Sequence, residues 1–418
     1  MAEAVKDSLL GANPDTVDLA KLDVSNPDLY EHNLWPQYFA RLRQESPVHY
    51  TADSAFGPFW SVTRFADIVE VEKDHQTFSS EPTVILGDQP EDFQFVNFIQ
   101  SDPPIHDEQR KVVQPVVAPR NLANLEGLIR QRAATILDSL PTGQPINWVQ
   151  EVSIELTTQM LATLFDFPFE ERRKLTYWSD MAIATEEMTG SNAISEDERR
   201  AVMMECYQYF CNLFEQRRNN PDGFDLLTML ANDPATEDMP KDTMQFLGNL
   251  MLLIIGGNDT TRNSISGGVV ALNQFPSEYD KLRRNPGLIP NMVSEIIRWQ
   301  TPLSHMRRTA TRDVTFKGAQ IAKGDKVVMW YISGNRDDTM IDRPDQFIID
   351  RADARHHLSF GFGIHRCMGN RLAEMQLRVL WEEIMQRFAN IELLGAPKKV
   401  RSNFINGFSE VPVVLHAL

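Results

Sequence analysis

The ten-residue run Phe360–Gly369, Phe-Gly-Phe-Gly-Ile-His-Arg-Cys-Met-Gly, constrains the fold of this chain more than any other segment. Its glycines let the backbone turn tightly and approach another group closely. The run places Cys367 directly before a segment whose apolar residues recur at helical spacing: Leu372, Val379, Leu380, Ile384 and Phe388. A thiol before a helix meets free backbone N–H groups and the positive end of the helix dipole, which favour the thiolate. The sequence therefore predicts a loop that presents a thiolate at the start of a helix.

Three interpretations of Cys367 follow from the residues alone. A thiolate held by backbone donors is a good axial ligand for haem iron. A free cysteine is also often a small, buried apolar residue. A zinc site is the third interpretation, because His356, His357 and His365 lie close to the cysteine in sequence. Tetrahedral zinc, however, usually draws on more closely spaced ligand pairs.

Composition favours one large unit. The chain has 418 residues, 42% of them hydrophobic, and neither a Gly/Ser- or Pro-rich linker nor an internal repeat divides it, so we expect a single domain over residues 1–418. The net charge of −17 argues against binding to nucleic acid or to an anionic membrane. No signal peptide or membrane anchor is evident, and the only cysteines are Cys206, Cys211 and Cys367. These features are typical of a cytoplasmic protein.

Strand-like segments flank a helical middle. The mostly helical pattern covers Asp107–Phe275, whereas residues 81–100 have no clean period and are predicted to form a long loop. The predicted strands are Pro47–Thr51, Phe59–Thr63, a region at Asp313–Ser333, and a hairpin at Val400–Leu415 around Asn406-Gly407. This order is typical of a mainly α (α+β) protein.

One predicted helix has an unusual centre. The segment Lys241–Gln274 is bounded by Pro240 and Pro276 and would be roughly 50 Å long. Its centre, Gly256-Gly257-Asn258-Asp259-Thr260-Thr261, consists of poor helix formers, and each glycine costs about 1 kcal/mol relative to alanine. Such a conflict is expected at a functional site, where small residues admit a ligand against the backbone. Close packing between helices at the two glycines is the alternative.

Both segments resemble motifs of the cytochrome P-450 superfamily. The cysteine loop is similar to its haem-binding loop, and Gly256–Thr260 is similar to its oxygen-activating motif. The resemblance implies a haem-thiolate monooxygenase with haem b as cofactor, folded as a helical prism with a small β-rich lobe. It implies that Cys367 is the iron ligand, with Phe360 on the same loop, that Thr260 steadies oxygen and its water, and that Asp259 relays protons. A non-catalytic haem sensor would keep the cysteine without needing Asp259 and Thr260.

The resemblance also gives a role to an ion pair that predicts little alone. Glu295 and Arg298 lie one helical turn apart, and an isolated surface pair contributes well under about 1 kcal/mol. Together with the run Pro344–Arg351 they match a superfamily signature in which Glu295, Arg298 and Arg351 form a buried network beneath the haem. Removal of one member would leave a buried charge unpaired, at a typical cost of about 3–5 kcal/mol.

Four residues match the superfamily positions that hold the haem propionates. They are His106, Arg110, Arg308 and His365. Buried propionates need cationic or hydrogen-bonding partners, which these side chains would supply. His365 stands where the superfamily more commonly has arginine, so the protonation state of this donor is open.

Longer stretches, at residues 256–264, 294–310, 152–158 and 164–168, resemble the soluble bacterial alkane-hydroxylase family. That family hydroxylates terminal methyl groups of medium-chain alkanes and related chains, including fatty acids in some members. Terminal attack requires a narrow pocket that presents only the chain end. The candidate pocket residues are Val84, Phe95, Asn97, Leu252, Gly256, Leu303 and Phe404, mainly apolar as such a pocket requires. Fatty acids, terpenoids and other apolar ring compounds are alternative substrates.

Electrons must come from a separate protein, because no GxGxxG fingerprint follows a predicted strand and no reductase domain is attached. The resemblance implies a ferredoxin and an NADH-dependent ferredoxin reductase, beside O2 and the apolar substrate. Ferredoxins are usually acidic, as this chain is, so docking would need a local basic patch. Lys111, Arg366 and Arg371 are the candidates. We expect a monomer that binds no nucleic acid.

Overall fold

Helices dominate the structure. The computed structural model describes residues 13–183, 194–218, 220, 223 and 225–418. Its helices are Asp28–Glu31, Trp35–Glu45, Phe65–Lys73, Ile105–Val113, Pro119–Asp138, Glu155–Phe165, Arg173–Ala182, Glu196–Arg217, Leu226–Asn232, Thr243–Gln274, Pro276–Arg284, Ile289–Gln300, Tyr331–Gly334 and Asn370–Arg387. Short 3-10 turns at Phe98–Gln100 and Gly363–His365 border the candidate site. No helix in the part of the chain that the structure describes is long and apolar enough to cross a membrane.

The strands form several small sheets. They are β1 Val48–Thr51, β2 Phe59–Val62, β3 Phe78–Ser79, β4 Pro145–Asn147, β5 Met306–Ala310, β6 Val314–Phe316, β7 Ala319–Ile321, β8 Lys326–Met329, β9 Phe388–Leu393, β10 Lys398–Lys399, β11 Phe408–Glu410 and β12 Pro412–Ala417. A five-stranded sheet has the order β1-β2-β8-β5-β3, and a three-stranded sheet has the order β4-β12-β9. The pairs β10-β11 and β6-β7 complete the set. The predicted mainly α (α+β) class is confirmed.

The five-stranded sheet is apolar on both faces at its centre. In β8, Val328 packs in one apolar cluster, whereas its neighbours Val327 and Met329 pack in another. This alternation follows from the two-residue period of a strand. β8 lies parallel to β2 and antiparallel to β5. A short loop connects the end of β5 to the β6-β7 hairpin.

The helix Thr243–Gln274, here called the central helix, connects two apolar cores. The Asp242 side chain accepts hydrogen bonds from the first N–H groups of this helix, and Pro276 begins the next one. Phe246 and Ile254 belong to one buried cluster, and Val269 and Leu272 belong to another. The helix stays continuous through its glycines, so the packing of its two ends outweighs the poor propensity of its centre.

Several predicted boundaries were wrong. The first two strands and the central helix lie within a few residues of their predicted ends. The third stranded region begins earlier, at Met306 rather than Asp313, and Tyr331–Gly334 is helical. The tail hairpin pairs β10 with β11 across residues 400–407, so Asn406-Gly407 is not a tight turn. Instead a Cβ on Gly407 would collide with Asn263 of the central helix, which explains the glycine by packing.

Candidate active site

Cys367 lies between the turn Gly363–His365 and the helix Asn370–Arg387, as the sequence predicted. Its side chain is accessible to solvent, yet protein atoms surround it closely. This surrounding protein raises the pKa of the Cys367 thiol, although the backbone N–H groups of Gly369 and Asn370 lower it. The predicted backbone donors are therefore present, but burial outweighs their effect on the free thiol.

The cysteine loop is held by a buried carboxylate that sequence reasoning missed. Glu72 accepts a hydrogen bond from the Phe362 N–H at 3.1 Å and another from the Tyr331 hydroxyl. Gly363 has φ +67°, and a Cβ there would collide with the Glu72 carbonyl oxygen. The close approach of Glu72 thus requires glycine at position 363. No local sequence pattern indicates Glu72, because its partners come from distant parts of the chain.

Two histidines predicted as propionate ligands lie next to each other. The rings of His106 and His365 meet edge to face with centroids 4.4 Å apart. The His106 Nδ1 atom lies 2.7 Å from Asp107 Oδ1, and the His365 Nε2 atom lies 2.8 Å from Ser80 Oγ. The remaining nitrogens, Nε2 of His106 and Nδ1 of His365, are buried without a hydrogen-bond partner among the described residues. Burial and then the charge of Arg308 lower the pKa of His365 to about 2, so this ring is neutral at pH 7.

The two predicted arginines flank the same region. Arg308 is buried, donates to the Arg307 carbonyl at 2.9 Å, and has its Nη2 atom 3.7 Å from Glu72 Oε2. Arg110 donates to the carbonyl of Arg366, the residue before Cys367. Burial lowers the pKa of Arg110, while the neighbouring Cys367 raises it. The structure therefore brings both guanidinium groups and both imidazoles to the cysteine loop.

Gly256 and Gly257 of the central helix have different surroundings. A Cβ built on Gly256 would meet no atom within 4 Å, whereas one on Gly257 would lie 3.2 Å from Leu161 Cδ1. Gly256 therefore leaves open space beside the helix, and Gly257 permits close helix packing. The Thr260 hydroxyl donates to the Gly256 carbonyl at 2.7 Å. Gly256 thus fits the interpretation that small residues admit a ligand, and Gly257 fits the interpretation of close helix packing.

The Asp259 carboxylate points away from that open space. It is fully buried and accepts a hydrogen bond from Ser179 Oγ at 2.5 Å. Arg262 Nη2 lies 2.6 Å from Asp259 Oδ1 and 2.9 Å from Asp180 Oδ1. Burial raises the pKa of Asp259, and the Arg262 charge lowers it. Sequence reasoning missed these two partners of Asp259, although the spacing of Asp259 and Arg262 is that of a helical ion pair.

The predicted ion-pair network is present and buried. Glu295 Oε2 lies 2.7 Å from Arg298 Nε and 3.1 Å from Arg351 Nε, and Glu295 Oε1 accepts from the Ile348 N–H at 2.9 Å. Arg298 also donates to backbone carbonyls, including that of Asn335. The network joins the helix Ile289–Gln300 to the segment that precedes the cysteine loop.

A cavity of about 900 Å³ lies against the N-terminal half of the central helix. All seven predicted pocket residues line it: Val84, Phe95, Asn97, Leu252, Gly256, Leu303 and Phe404. Thr260 lines it as well, and Ile85, Ile255 and Met306 are lining residues that sequence reasoning missed. The volume is that of a ligand pocket, but it is larger than the narrow slot expected for a linear chain. Polar residues including Asp88 and Arg199 also contribute to the wall.

The histidines considered for zinc do not assemble. His356 packs against Phe65 with ring centroids 4.6 Å apart, and His357 packs against Phe360 at 5.3 Å. No group of three or more potential metal ligands occurs among residues 13–183, 194–218 and 225–418. Within these ranges Cys367 therefore has no set of ligating side chains around it, which does not suit tetrahedral zinc.

The orphaned imidazole nitrogens, the guanidinium groups and the thiol fit one group. They supply donors for two carboxylates and one soft ligand for iron, which together define a haem-thiolate protein. The family model described as Cytochrome P450 matches residues 27–405, and the chain belongs to this family. The family's cofactor is haem b, and the predicted fold and cofactor are confirmed.

The chain is similar to several members of this family over nearly its whole length. It is 44% identical to a cytochrome P450-153 from Novosphingobium aromaticivorans, with a TM-score of 0.88 and coverage of 94% of this chain and 99% of the other. It is 46% identical to CYP153D17 from Sphingomonas sp. PAMC 26605, with a TM-score of 0.89 and coverage of 94% and 98%. It is 39% identical to a linalool 8-monooxygenase from Pseudomonas putida, covering 94% of this chain and 98% of that protein.

Proposed function

We propose that this P450 monooxygenase hydroxylates the terminal carbon of medium-chain alkanes or related alkyl chains. The observation that carries the proposal is the apolar inner wall of the 900 Å³ cavity, which meets the central helix at Gly256 and Thr260. The open side of Gly256 lets a slender chain end approach the helix backbone. The likeness to the two P450-153 structures supports the same substrate class, because the alkane-hydroxylase stretches lie within the matched length.

The cofactor supplies the oxygen chemistry and the protein supplies position and protons. When bound, haem b activates O2 so that one oxygen atom enters a C–H bond and the other leaves as water. Cys367 would hold the iron, and His106, Arg110, Arg308 and His365 would hold the propionates. Thr260 lines the cavity, where its hydroxyl would steady oxygen and its water. Asp259 would relay protons once its carboxylate leaves Arg262, since burial already favours its protonated form.

Leu303 is the residue that we expect to direct the chain end. It lines the cavity and forms an isolated β-bridge with Ile405, which fixes its backbone position. Phe404, the neighbour of Ile405, lines the same wall. Fixed apolar side chains at this point restrict which carbon approaches the reacting centre, which is catalysis by positioning.

We propose that a ferredoxin delivers the electrons at the face nearest Cys367. Lys111, Arg366 and Arg371 are exposed there. Burial raises the pKa of the neighbouring, half-buried Glu374, whereas the charge of Arg355 lowers it, so Arg355 adds positive charge to this face. This local positive charge would attract an acidic partner despite the net charge of −17. An NADH-dependent reductase would reduce the ferredoxin, and one monomeric, cytoplasmic domain of residues 1–418 would carry the reaction.

A second substrate class has its own support. The cavity is larger than a medium alkane requires, and polar groups such as Asn97 and Gln100 line part of it. The relative from Pseudomonas putida is named for oxidising linalool at position 8. A branched terpenoid alcohol, with a methyl group to oxidise and a hydroxyl to place, would use both features.

A product assay distinguishes the two proposals. The purified enzyme, a ferredoxin, its reductase and NADH are incubated with n-octane, decanoic acid or linalool at equal concentration, and products are identified by gas chromatography. We expect primary octanol as the main product from octane. Turnover of linalool with no primary octanol, or octane oxidised mainly at inner carbons, would reject terminal alkane hydroxylation. A reduced, carbon monoxide-bound spectrum lacking the red-shifted Soret band would reject the haem-thiolate site itself.

A further inference from the structure

A second cavity, of about 310 Å³, lies against the C-terminal half of the central helix. It shares no lining residue with the substrate cavity. Val270 of the central helix and Trp299 of the helix Ile289–Gln300 form part of its wall, and Lys399 of β10 and Phe408 of β11 form another part. Nothing in the proposed monooxygenase reaction uses this cavity.

Lys399 brings an ammonium group without a counter-ion to this cavity. Its Nζ atom donates to Asn33 Oδ1 at 3.2 Å and lies 6.0 Å from the centre of the Phe408 ring. No carboxylate of the described residues forms an ion pair with it. Burial, followed by the charge of Arg336, lowers the pKa of Lys399 to about 8. Lys399 is therefore still protonated at pH 7, although burial and the neighbouring positive charge destabilise its charged form.

Arg336 brings a second cation that is hardly neutralised. It is buried, donates to the carbonyls of Pro344 and Trp299, and stacks 3.7 Å above the Trp299 ring. Burial, together with the charge of Arg298, lowers the pKa of Arg336 to about 9. Its nearest carboxylate, Asp345, lies 3.9 Å away with a side chain that is 78% exposed. A carboxylate so open to solvent does little to offset a buried guanidinium.

The rest of the wall combines apolar and aromatic side chains with four amides, Asn33, Gln274, Gln300 and Asn406. Trp35 and Phe408 are buried, and Val270 is a buried residue of the central helix. Asp345 is the single acidic residue among the described lining residues, against the two cations. The buried Arg336 and the partly exposed Lys399 attract an anion, and the aromatic and aliphatic side chains beside them favour an anion that carries an apolar body.

We propose that this cavity binds a small carboxylate with an apolar body, such as benzoate, whose carboxylate group lies between Lys399 and Arg336. The apolar body packs against Trp35, Val270 and Phe408. A carboxylate pairs with both cations at once, and a body of this size fits a volume of about 310 Å³. The site is separate from oxygen insertion, so it stands or falls independently of the proposed function.

The test uses the haem-loaded enzyme and two probes. Crystals soaked in 4-bromobenzoate should show an anomalous bromine peak in this cavity. Calorimetric titration with benzoate should give an affinity that falls about tenfold or more in Lys399→Met, because one of the two charge contacts to the carboxylate is lost. Lys399→Arg should bind within a few-fold of the native chain, since the cation is kept. Lys398→Met is the matched control, because Lys398 is 71% exposed and pairs with Glu410.

Three results would overturn the proposal. One is an absence of bromine density in this cavity. Another is equal benzoate affinity in the native chain and in Lys399→Met with unchanged haem content and circular dichroism. The third is phosphate binding as tightly as benzoate, which would remove the role of the apolar walls. If Lys399→Met loses its fold, Lys399→Gln replaces it in the same comparison.

Discussion

Replacement of Glu295 by alanine should be among the most damaging single changes in this chain. The Glu295 side chain has no solvent exposure and is shared by Arg298, whose side chain is also fully buried, and Arg351, which is 8% exposed. Removing the carboxylate leaves two buried guanidinium groups without their counter-ion and the Ile348 N–H without its acceptor. Loss of one partner from a buried ion pair typically costs about 3–5 kcal/mol. That is a large share of the roughly 5–15 kcal/mol by which a native protein is usually stable.

The measurement is the urea midpoint of unfolding, together with the haem retained after gel filtration. At about 1.4 kcal/mol per factor of ten, the expected loss weakens the folding equilibrium by roughly a hundred- to several-thousand-fold. We expect poor expression or strong haem loss for Glu295→Ala. Glu45→Ala is the control, because Glu45 is 49% exposed and pairs with Arg41 at 3.0 Å. An exposed pair of this kind contributes about 1 kcal/mol or less.

A double variant tests whether the lost stability comes from an unpaired buried charge or from the cavity that the shorter side chain leaves. Glu295→Ala combined with Arg298→Met removes one of the two stranded cations, so it should recover part of the stability lost in Glu295→Ala alone. The reasoning is refuted if Glu295→Ala has full haem content and the same urea midpoint as Glu45→Ala. It is also refuted if the double variant is less stable than the sum of the two single changes.

Three further outcomes are expected. Leu303→Ala should reduce the preference for the terminal carbon by about 1 kcal/mol, roughly fivefold, as measured by the ratio of primary to secondary alcohols; an unchanged ratio would count against its role. Stability should fall as the pH drops from about 6.5 towards 4, because burial lowers the pKa of His305 from 6.5 to about 4 and only the unfolded chain binds the proton in this window. His305→Gln should reduce the dependence of the unfolding free energy on pH by up to about 1.4 kcal/mol per pH unit. His416→Gln is the control and should leave this dependence unchanged, because His416 is 45% exposed. The same pH dependence in both variants would contradict the assignment. Arg366→Glu should slow reduction by ferredoxin about tenfold at low salt in stopped-flow measurements with haem content unchanged, and Lys398→Glu should not; equal rates would remove the docking face.

The cysteine loop and the central helix could be predicted because their signals are local. A glycine-rich run before a helical period places Cys367 with its backbone neighbours, whatever packs around it. The long apolar segment with prolines at both ends likewise defines its own helix. The pocket residues came from the family resemblance, and they lie together because the family fold brings their segments together.

Other features lay beyond the sequence because their partners are distant along the chain. Glu72 reaches the cysteine loop only once the helix Phe65–Lys73 has docked on it. The tail strands were misplaced because β12 pairs with β4 and β9 rather than with its sequence neighbour. A turn signal at Asn406-Gly407 was instead the mark of close packing against the central helix.

The sequence by itself determined the position of Cys367 on a loop before a helix and the one-turn spacing of Glu295 and Arg298, since each depends on residue types at short fixed spacings. Only the tertiary structure decided which side of the central helix each residue faces. It turns Gly256 and Thr260 to the cavity but Asp259 to Arg262 and Ser179. Successive helical residues are separated by about 100° around the axis, and the packing of neighbouring helices fixes which of them meets the open space.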